Sequence, residues 1–278
     1  SCFANMIGLN ISSALNSIIT IYILIPFILV PQLLLGGAMI KFDELHTGIA
    51  KQSHVPLVGD VMASRWAYEA LSVAQFKHNA YESHFFKADK AMSQNSFQRS
   101  YLIPGLETAT RDILRDSGAY ESHQANFDLI QKEYDYLVEH FGVKTFPMIG
   151  SFSPALFSPS IGQRFLNYLD DLKDSFQVKY KNAVAQKDSI YENLIDQMGK
   201  EEFYRLKRNH FNESVSDLVE NRNEFNKIIR SDNRLIQRKD PIFKDPYSHT
   251  GRAHFYASEK IIGDWHIDTV YFNVIVLW

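Results

Sequence analysis

Residues 18–40 read IITIYILIPFILVPQLLLGGAMI, 23 positions without a charge. Wound as one helix at about 1.5 Å per residue, the stretch covers roughly 34 Å, enough for a hydrocarbon core of about 30 Å. A segment this long and apolar is hard to bury in a soluble domain, so the sequence predicts a membrane-crossing helix and a membrane protein. The uncharged zone is wider still. No Asp, Glu, Lys or Arg precedes Lys41, although charged residues make up 22% of the chain. A single helix over residues 1–40 would measure roughly 60 Å, about twice what a bilayer needs. The polar cluster Asn10, Ser12, Ser13 and Asn16 is therefore expected as a turn at the membrane surface, with residues 1–9 the tail of a preceding span. Residue 1 is not Met and no cationic start precedes the apolar run, which argues against a cleaved signal peptide. At the other end, VYFNVIVLW (270–278) stops after nine residues, where a span needs about 20. The expectation is a fragment cut inside membrane helices at both ends.

All charged residues lie between Lys41 and Asp268, nearly balanced at 29 basic and 32 acidic. This gives no net-charge argument for a nucleic-acid partner. The single cysteine, Cys2, leaves no disulfide framework. Lys41, Asp43 and Glu44 mark the exit into water. Residues 58–76 (VGDVMASRWAYEALSVAQF) then form an amphipathic stretch, with Val61, Met62, Trp66, Ala70, Leu71 and Val73 on an apolar side. This predicts a helix at the interface, with Trp66 and Tyr68 at headgroup depth.

The middle of the chain predicts an all-α domain. Pro104-Gly105 opens and Gly118 closes a short helix around Leu106, Thr110 and Ile113. Phe127, Ile130, Tyr134, Leu137 and Phe141 follow steps of three and four until Gly142. Phe165, Leu169, Leu172, Phe176, Tyr180, Ala183, Ile190, Leu194 and Met198 continue such a pattern until Gly199. A further stripe runs through Phe203, Leu206, Phe211, Val215, Leu218, Phe225 and Ile229. Two long helices joined at Gly199-Lys200 are expected as an antiparallel, coiled-coil-like hairpin. The uncharged loop 145–163 (TFPMIGSFSPALFSPSIGQ) either exposes Phe146, Met148, Phe152, Leu156 and Phe157 to a partner or folds over that hairpin. Asp240-Pro241 and Asp245-Pro246 read as turns. The expected domains are 1–45 (the end of one span and one complete span), 46–86 (link and interfacial helix), 87–251 (helical domain) and 252–278 (return and start of a last span).

Catalytic and metal motifs are missing from the sequence. There is no GxxxxGK[ST] phosphate loop, no GxGxxG after a strand, no HExxH and no CxxC. His249 and His254 are five apart, which does not place them on one helix face. Asp170, Asp171 and Asp174 sit beside Lys173 as a solvated face. Asn212-Glu213-Ser214 is a sequon that matters only in a secreted eukaryotic context. The expectation is no enzyme site, no metal and no cofactor within this chain.

Two segments carry a family resemblance. ILIPFILVPQLLLGGAMIKFDEL, followed by ASRWAYEALSVAQF, resembles the permease domain of ABC exporters of the G subfamily (the white and eye-pigment type), in bacterial forms with an enlarged external loop. In that family the fifth membrane helix is followed by a short helix with an S-R-[WY]-x-x-E-A-L-like signature, matched here by Ser64, Arg65, Trp66, Glu69, Ala70 and Leu71. GLNISSALNS looks like the tight cytoplasmic turn before that helix. RAHFYASEKIIG and TVYFNVIVLW look like the approach to, and outer half of, the sixth. The resemblance covers residues 1–86 and 252–278. It implies a dimer of permeases working by alternating access on an amphipathic or lipophilic substrate, in contact with membrane lipid. It also implies a bacterial inner-membrane location with residues 46–260 outside the cytoplasm. ATP and Mg would be held by an ATPase domain upstream or on another chain.

The resemblance places Leu29, Val30 and Leu33 on a cavity-lining face and an outer constriction at Ala38 and Met39. Read from the residues alone, Pro26 and Pro31 remove two helical hydrogen bonds and Gly36-Gly37 loosens the outer end, which suits either a bending helix or a fixed kink. Gln32, the polar side chain inside the span, either contacts substrate or makes an interhelical hydrogen bond. Arg65 and Glu69, at i,i+4, form either an exposed pair worth about 0.3–0.5 kcal/mol or, with Trp66, an interfacial anchor. The rival reading is a membrane-anchored sensor or scaffold whose helical domain binds a partner.

Overall fold

The computed structural model describes residues 2–15, 17–39, 42, 54–116 and 119–278. The chain is predominantly helical. Two antiparallel hairpins are the only sheets among the described residues: β1 (Ile228–Ser231) with β2 (Arg234–Gln237), and β3 (Glu259–Ile262) with β4 (Trp265–Asp268). Two compact units result. One comprises Ser1–Leu71, Pro246–Phe255 and Glu259–Trp278; the other comprises Ser72–Asp245 and Tyr256–Ser258.

In the first unit, α1 (Cys2–Ala14) runs through Asn10, Ser12 and Ser13 of the polar cluster expected to be a turn. The Ser13 hydroxyl donates to the Asn10 carbonyl at 3.0 Å, so local back-bonding satisfies it within the helix. The break falls at Leu15 and Ser17, on either side of Asn16, which lies outside the described residues. α2 (Ile18–Leu34) passes through Pro26 and Pro31 but ends well before residue 40. Residues 35–39 are bends, and Gly37 has φ +80°, a backbone state that glycine adopts without the Cβ clash other residues suffer. The helix is thus 17 residues long, about 26 Å. Among the described residues no helix is long and apolar enough to cross a membrane. Lys41, Asp43 and Glu44 lie outside the described residues.

The expected interfacial helix is two helices, α3 (Leu57–Asp60) and α4 (Ala63–Lys77), interrupted at Val61 and Met62. Its apolar residues do not form one face, for Ala70 is buried while Val61 and Leu71 are exposed. The last helix, α11 (Thr269–Leu277), starts where the Asp268 carboxylate accepts the Val270 N–H at 2.9 Å.

In the second unit, α5 (Glu82–Phe97) begins where Asn79 Oδ1 accepts the N–H groups of Tyr81 and Glu82 at 2.9 and 2.8 Å. A single π-helical turn, Gln98–Leu102, joins it to α6 (Ile103–Arg115); Gly118, expected to close that helix, lies outside the described residues. α7 (Gln124–Phe141) buries Phe127, Ile130, Tyr134 and Leu137 as their spacing predicts, and Gly142 ends it. α8 (Pro159–Met198) is 40 residues long, about 60 Å, and buries Phe165, Leu169, Leu172 and Phe176. Each such side chain contributes about 1.5–3 kcal/mol when removed from water. The expected loop 145–163 ends at residue 158, where α8 begins, and it folds into this core apart from the exposed Leu156. Phe146, Phe152 and Phe157 are buried, the Phe152 and Phe165 rings stand 4.6 Å apart, and the Phe146 N–H donates to the Tyr134 hydroxyl at 2.8 Å.

The expected second long helix is a correction. α9 (Lys200–His210) covers only 11 residues, and α10 (Glu213–Val219) starts anew where Asn212 Oδ1 accepts the Val215 N–H at 3.2 Å. The rest of the apolar stripe belongs to β1–β2 or to solvent: Phe225 is 96% exposed. The long neighbour of α8 is α5, so no coiled-coil pair of equal arms forms. Asp232 and Asn233 turn the hairpin with φ of 53° and 55°, the left-handed pair a two-residue turn demands.

Candidate functional site

The site candidates all belong to the first unit, and Gln32, Gly36, Gly37, Arg65, Trp66 and Glu69 gather where α2 ends against the start of α4. The Gln32 carboxamide oxygen accepts the Ser64 backbone N–H at 3.0 Å, and the Gln32 carbonyl accepts the Ser64 hydroxyl at 2.6 Å. Of its two expected roles, Gln32 therefore fills the interhelical one. Gly36 lies in this contact, and a Cβ there would come within 2.8 Å of Ser64 Oγ. A Cβ on Gly37 would meet the Phe255 and Phe42 rings at 2.6 and 2.7 Å. Those two rings stack edge to face at 5.0 Å. The two glycines admit a close approach as well as loosening a helix end.

One turn into α4, Arg65 and Glu69 are not the exposed pair that was one of their two expected forms. Arg65 is 2% exposed and Glu69 is fully buried. The Arg65 guanidinium lies 3.8 Å above the Trp66 ring, with Nη2 at 3.6 Å from Glu69 and 3.7 Å from Asp60. Among the described residues its Nε and Nη1 make no hydrogen bond, so the indole face and two loose ion pairs hold it. Trp66 is half-buried; its indole N–H donates to the Asp60 carbonyl at 2.8 Å, and its ring faces Phe272 at 6.1 Å.

Glu69 gathers two partners that sequence reasoning missed. Fully buried Lys260, on β3, donates to one carboxylate oxygen at 2.8 Å. Buried Asn273, on α11, donates to the other at 2.8 Å and to the Trp66 carbonyl at 3.2 Å. Burial alone would push the Glu69 carboxyl up. The Lys260 and Arg65 charges and the hydrogen bonds from Lys260 and Asn273 outweigh it, and the group sits below its ordinary value. Burial, with Arg65 nearby, pulls Lys260 down while Glu69 supports it. Two buried cations share two carboxylates, Glu69 and the part-exposed Asp60. Arg252 also reaches Asp60 at 3.3 Å and the Val55 carbonyl at 2.9 Å. The i,i+4 spacing of Arg65 and Glu69 was legible in sequence; partners 191 and 204 residues further on were not.

The remaining predicted residues do not converge on this network. Leu29, Val30, Leu33, Ala38 and Met39 are all exposed, and Pro26 and Pro31 lie within α2. Chemically, the assembly holds position. Among the described residues no group of three or more metal-ligating side chains exists. The assembly ties the start of α4, β3 and α11 together through buried charge, and the end of α2 to α4 through the Gln32–Ser64 hydrogen bonds. Compared with known protein families, curated proteins and solved structures, the chain finds no match.

Proposed function

We infer that the chain is the transmembrane, permease part of an ATP-driven exporter of the ABC type, moving an amphipathic or lipophilic substrate by alternating access. The observation that carries this reading is α2. It has no charged residue, contains Pro26 and Pro31, and buries none of its side chains, leaving a bare apolar surface that water penalises. α11 supports the reading, with Tyr271, Val274 and Ile275 exposed. At about 26 Å, α2 is shorter than a hydrocarbon core of about 30 Å, and bilayer thinning absorbs such a mismatch at fractions of a kcal/mol per Å. The sequence resemblance over Ser64, Arg65, Trp66, Glu69, Ala70 and Leu71 supplies the family.

In this reading Leu29, Val30 and Leu33, with Ala38 and Met39 beyond them, face lipid, a second permease copy or the substrate path. The Gln32–Ser64 contact and the Glu69 network anchor the short helix, so movement of α2 is passed to α4, β3 and α11. ATP and Mg act on a partner ATPase domain, and residues 46–260 lie outside the cytoplasm of a bacterial inner membrane.

Two measurements test the reading. After carbonate extraction the expressed chain should remain in the membrane pellet; recovery in the supernatant overturns it. In the intact transporter, Leu33→Trp should cut transport and substrate-stimulated ATP hydrolysis at least about fivefold, the scale of a 1 kcal/mol change. Unchanged values for both would remove Leu33 from the pathway.

A further inference from the structure

The second unit contains a cavity of about 530 Å³. One wall is α5, which turns Glu82, Asp89 and Ser93 to the same side, seven and eleven residues apart along the helix. The wall opposite is assembled from Lys187 of α8, Lys207 of α9, Glu220 and Arg222 after α10, and the Lys239-Asp240 corner. Tyr81, Phe85 and Phe211 supply aromatic surface.

Formal charge is balanced around this space, but the pairing is not. Lys187 holds Asp89 at 2.5 Å, and Arg222 holds Glu220 at 2.8 Å. Asp240 accepts the Ser93 hydroxyl at 2.8 Å and faces Lys239 at 3.5 Å. Two charges are left over. The Lys207 ammonium is exposed to solvent and lies over the Tyr81 and Phe211 rings, 5.7 Å from each centroid. Glu82 is only 8% exposed, and among the described residues nothing donates to its carboxylate; only its backbone N–H is engaged, by Asn79. Burial and then the Asp89 charge raise its pKa to about 7, against the partial relief of Lys187.

A buried carboxylate without a donor calls for an explanation in a folded protein. A single water, whose share of liquid volume is about 30 Å³, does not fill this space, whereas about 300–1,000 Å³ is the range of small-molecule sites. An anion would face the repulsion of Glu82, while Lys187 and Arg222 are already paired and the remaining cation, Lys207, is exposed to water over the Tyr81 and Phe211 rings. A hard metal ion needs several oxygen ligands together, and no cluster of that kind is present among the described residues. The aromatic rings already accept one cation, Lys207, on their faces.

We propose that this cavity binds a small organic cation, a primary ammonium on an aromatic or aliphatic body, with the ammonium against the Glu82 carboxylate and the body against Tyr81 and Phe85. Binding is an ion pair formed on a carboxylate largely withdrawn from water, so it requires ionised Glu82. Asp89, Glu220 and Asp240 add attraction, Lys187, Arg222, Lys207 and Lys239 oppose it, and only Glu82 enters without a partner.

The test is calorimetric titration of the full chain in detergent with phenethylamine, alongside 3-phenylpropionate, which has a body of similar size and the opposite charge. Phenethylamine is expected to bind and phenylpropionate not to. Amine affinity should fall by about tenfold per pH unit as pH drops below about 7, following the ionised fraction of Glu82. Glu82→Gln should weaken amine binding at least about tenfold and flatten that pH profile, with circular dichroism reporting the same helix content. Lys207→Met should leave the affinity equal or higher. Absence of amine binding, equal binding of the acid, or wild-type affinity unchanged between about pH 5 and about pH 8 would each overturn the proposal.

Discussion

Glu69 and Glu82 are both helical glutamates withdrawn from water, at 0% and 8% exposure, and their surroundings treat them in opposite ways. Glu69 accepts from Lys260 and Asn273 and has Arg65 beside it, so its carboxyl is held below its ordinary value. Glu82 accepts from nothing among the described residues, faces a cavity, and is raised to about 7. Desolvation is the largest influence on both. The neighbouring charges decide the sign, Lys260 and Arg65 with two donors at Glu69 against Asp89 at Glu82. A buried carboxylate whose oxygens are satisfied by the chain itself is a fastener, and one left unsatisfied beside open volume is a receptor.

The sharpest way to break this contrast is to take a partner from the fastener. Lys260→Met leaves Glu69 buried beside the loose Arg65 contact at 3.6 Å and the Asn273 amide, without the ammonium that donates to it at 2.8 Å. Removing one member of a buried ion pair costs about 3–5 kcal/mol, because the other charge stays dehydrated. Thermal unfolding of the full chain in detergent should show a loss of that order. A change below about 1 kcal/mol would mean that Arg65 alone neutralises Glu69. The pH sense follows from the lowered carboxyl. The contribution of Glu69 is present above its unfolded value of 4.5 and is lost as pH falls through the lower folded value. Lys260→Met should weaken that acid dependence.

The receptor carboxylate should respond in the opposite direction. With a folded pKa of about 7 against 4.5 unfolded, Glu82 keeps its proton in the folded state after the unfolded chain has lost it. The folded state therefore binds more protons across that window, and stability falls as pH rises from about 4.5 to about 7. Glu82→Gln removes this loss. The variant should match the wild type near pH 4 and exceed it near pH 8 by up to about 3 kcal/mol, read as the difference between the two pH–stability curves. Equal stability at both pH values would indicate that Glu82 is hydrated and that the contrast with Glu69 is smaller than its burial implies.

Local period was legible where one helix served one core. α7 and the first half of α8 lie where steps of three and four placed Phe127, Leu137, Phe165 and Phe176, with Gly142 and Gly199 as their ends. The pattern misled where apolar residues continued through a change of structure. Ile229 sits on a four-residue strand, and Phe225 lies in solvent just before it. Strands so short show too few alternations to stand out, and Asp232-Asn233 is a weaker turn signal than a glycine-containing pair. α2 is shorter than its composition suggests: it ends at Leu34, and beyond it Gly37 takes a positive φ, which hydropathy does not register. Of the candidate site, the Arg65–Glu69 spacing and the polarity of Gln32 were readable. The burial of Arg65 and Glu69 was not, because Glu69 is covered by Lys260 and Asn273 returning from the far end of the chain.

The smallest expected effect separates a holding role for Gln32 from a lining one. Gln32→Ala removes the acceptor of the Ser64 N–H but leaves the backbone carbonyl that accepts the Ser64 hydroxyl. One such hydrogen bond is worth about 1 kcal/mol net, roughly a fivefold change in a local equilibrium. Amide exchange at Ser64 in the full chain should quicken by about that factor, while exchange within α8, far along the sequence and part of the other unit, stays as it was. A side chain that merely lined a pathway would leave the Ser64 amide untouched. Unchanged exchange at that one position would therefore remove Gln32 from the contact. The Gly36–Ser64 approach, where backbone and hydroxyl already crowd to 2.8 Å of any added Cβ, would remain as the means by which α2 meets α4.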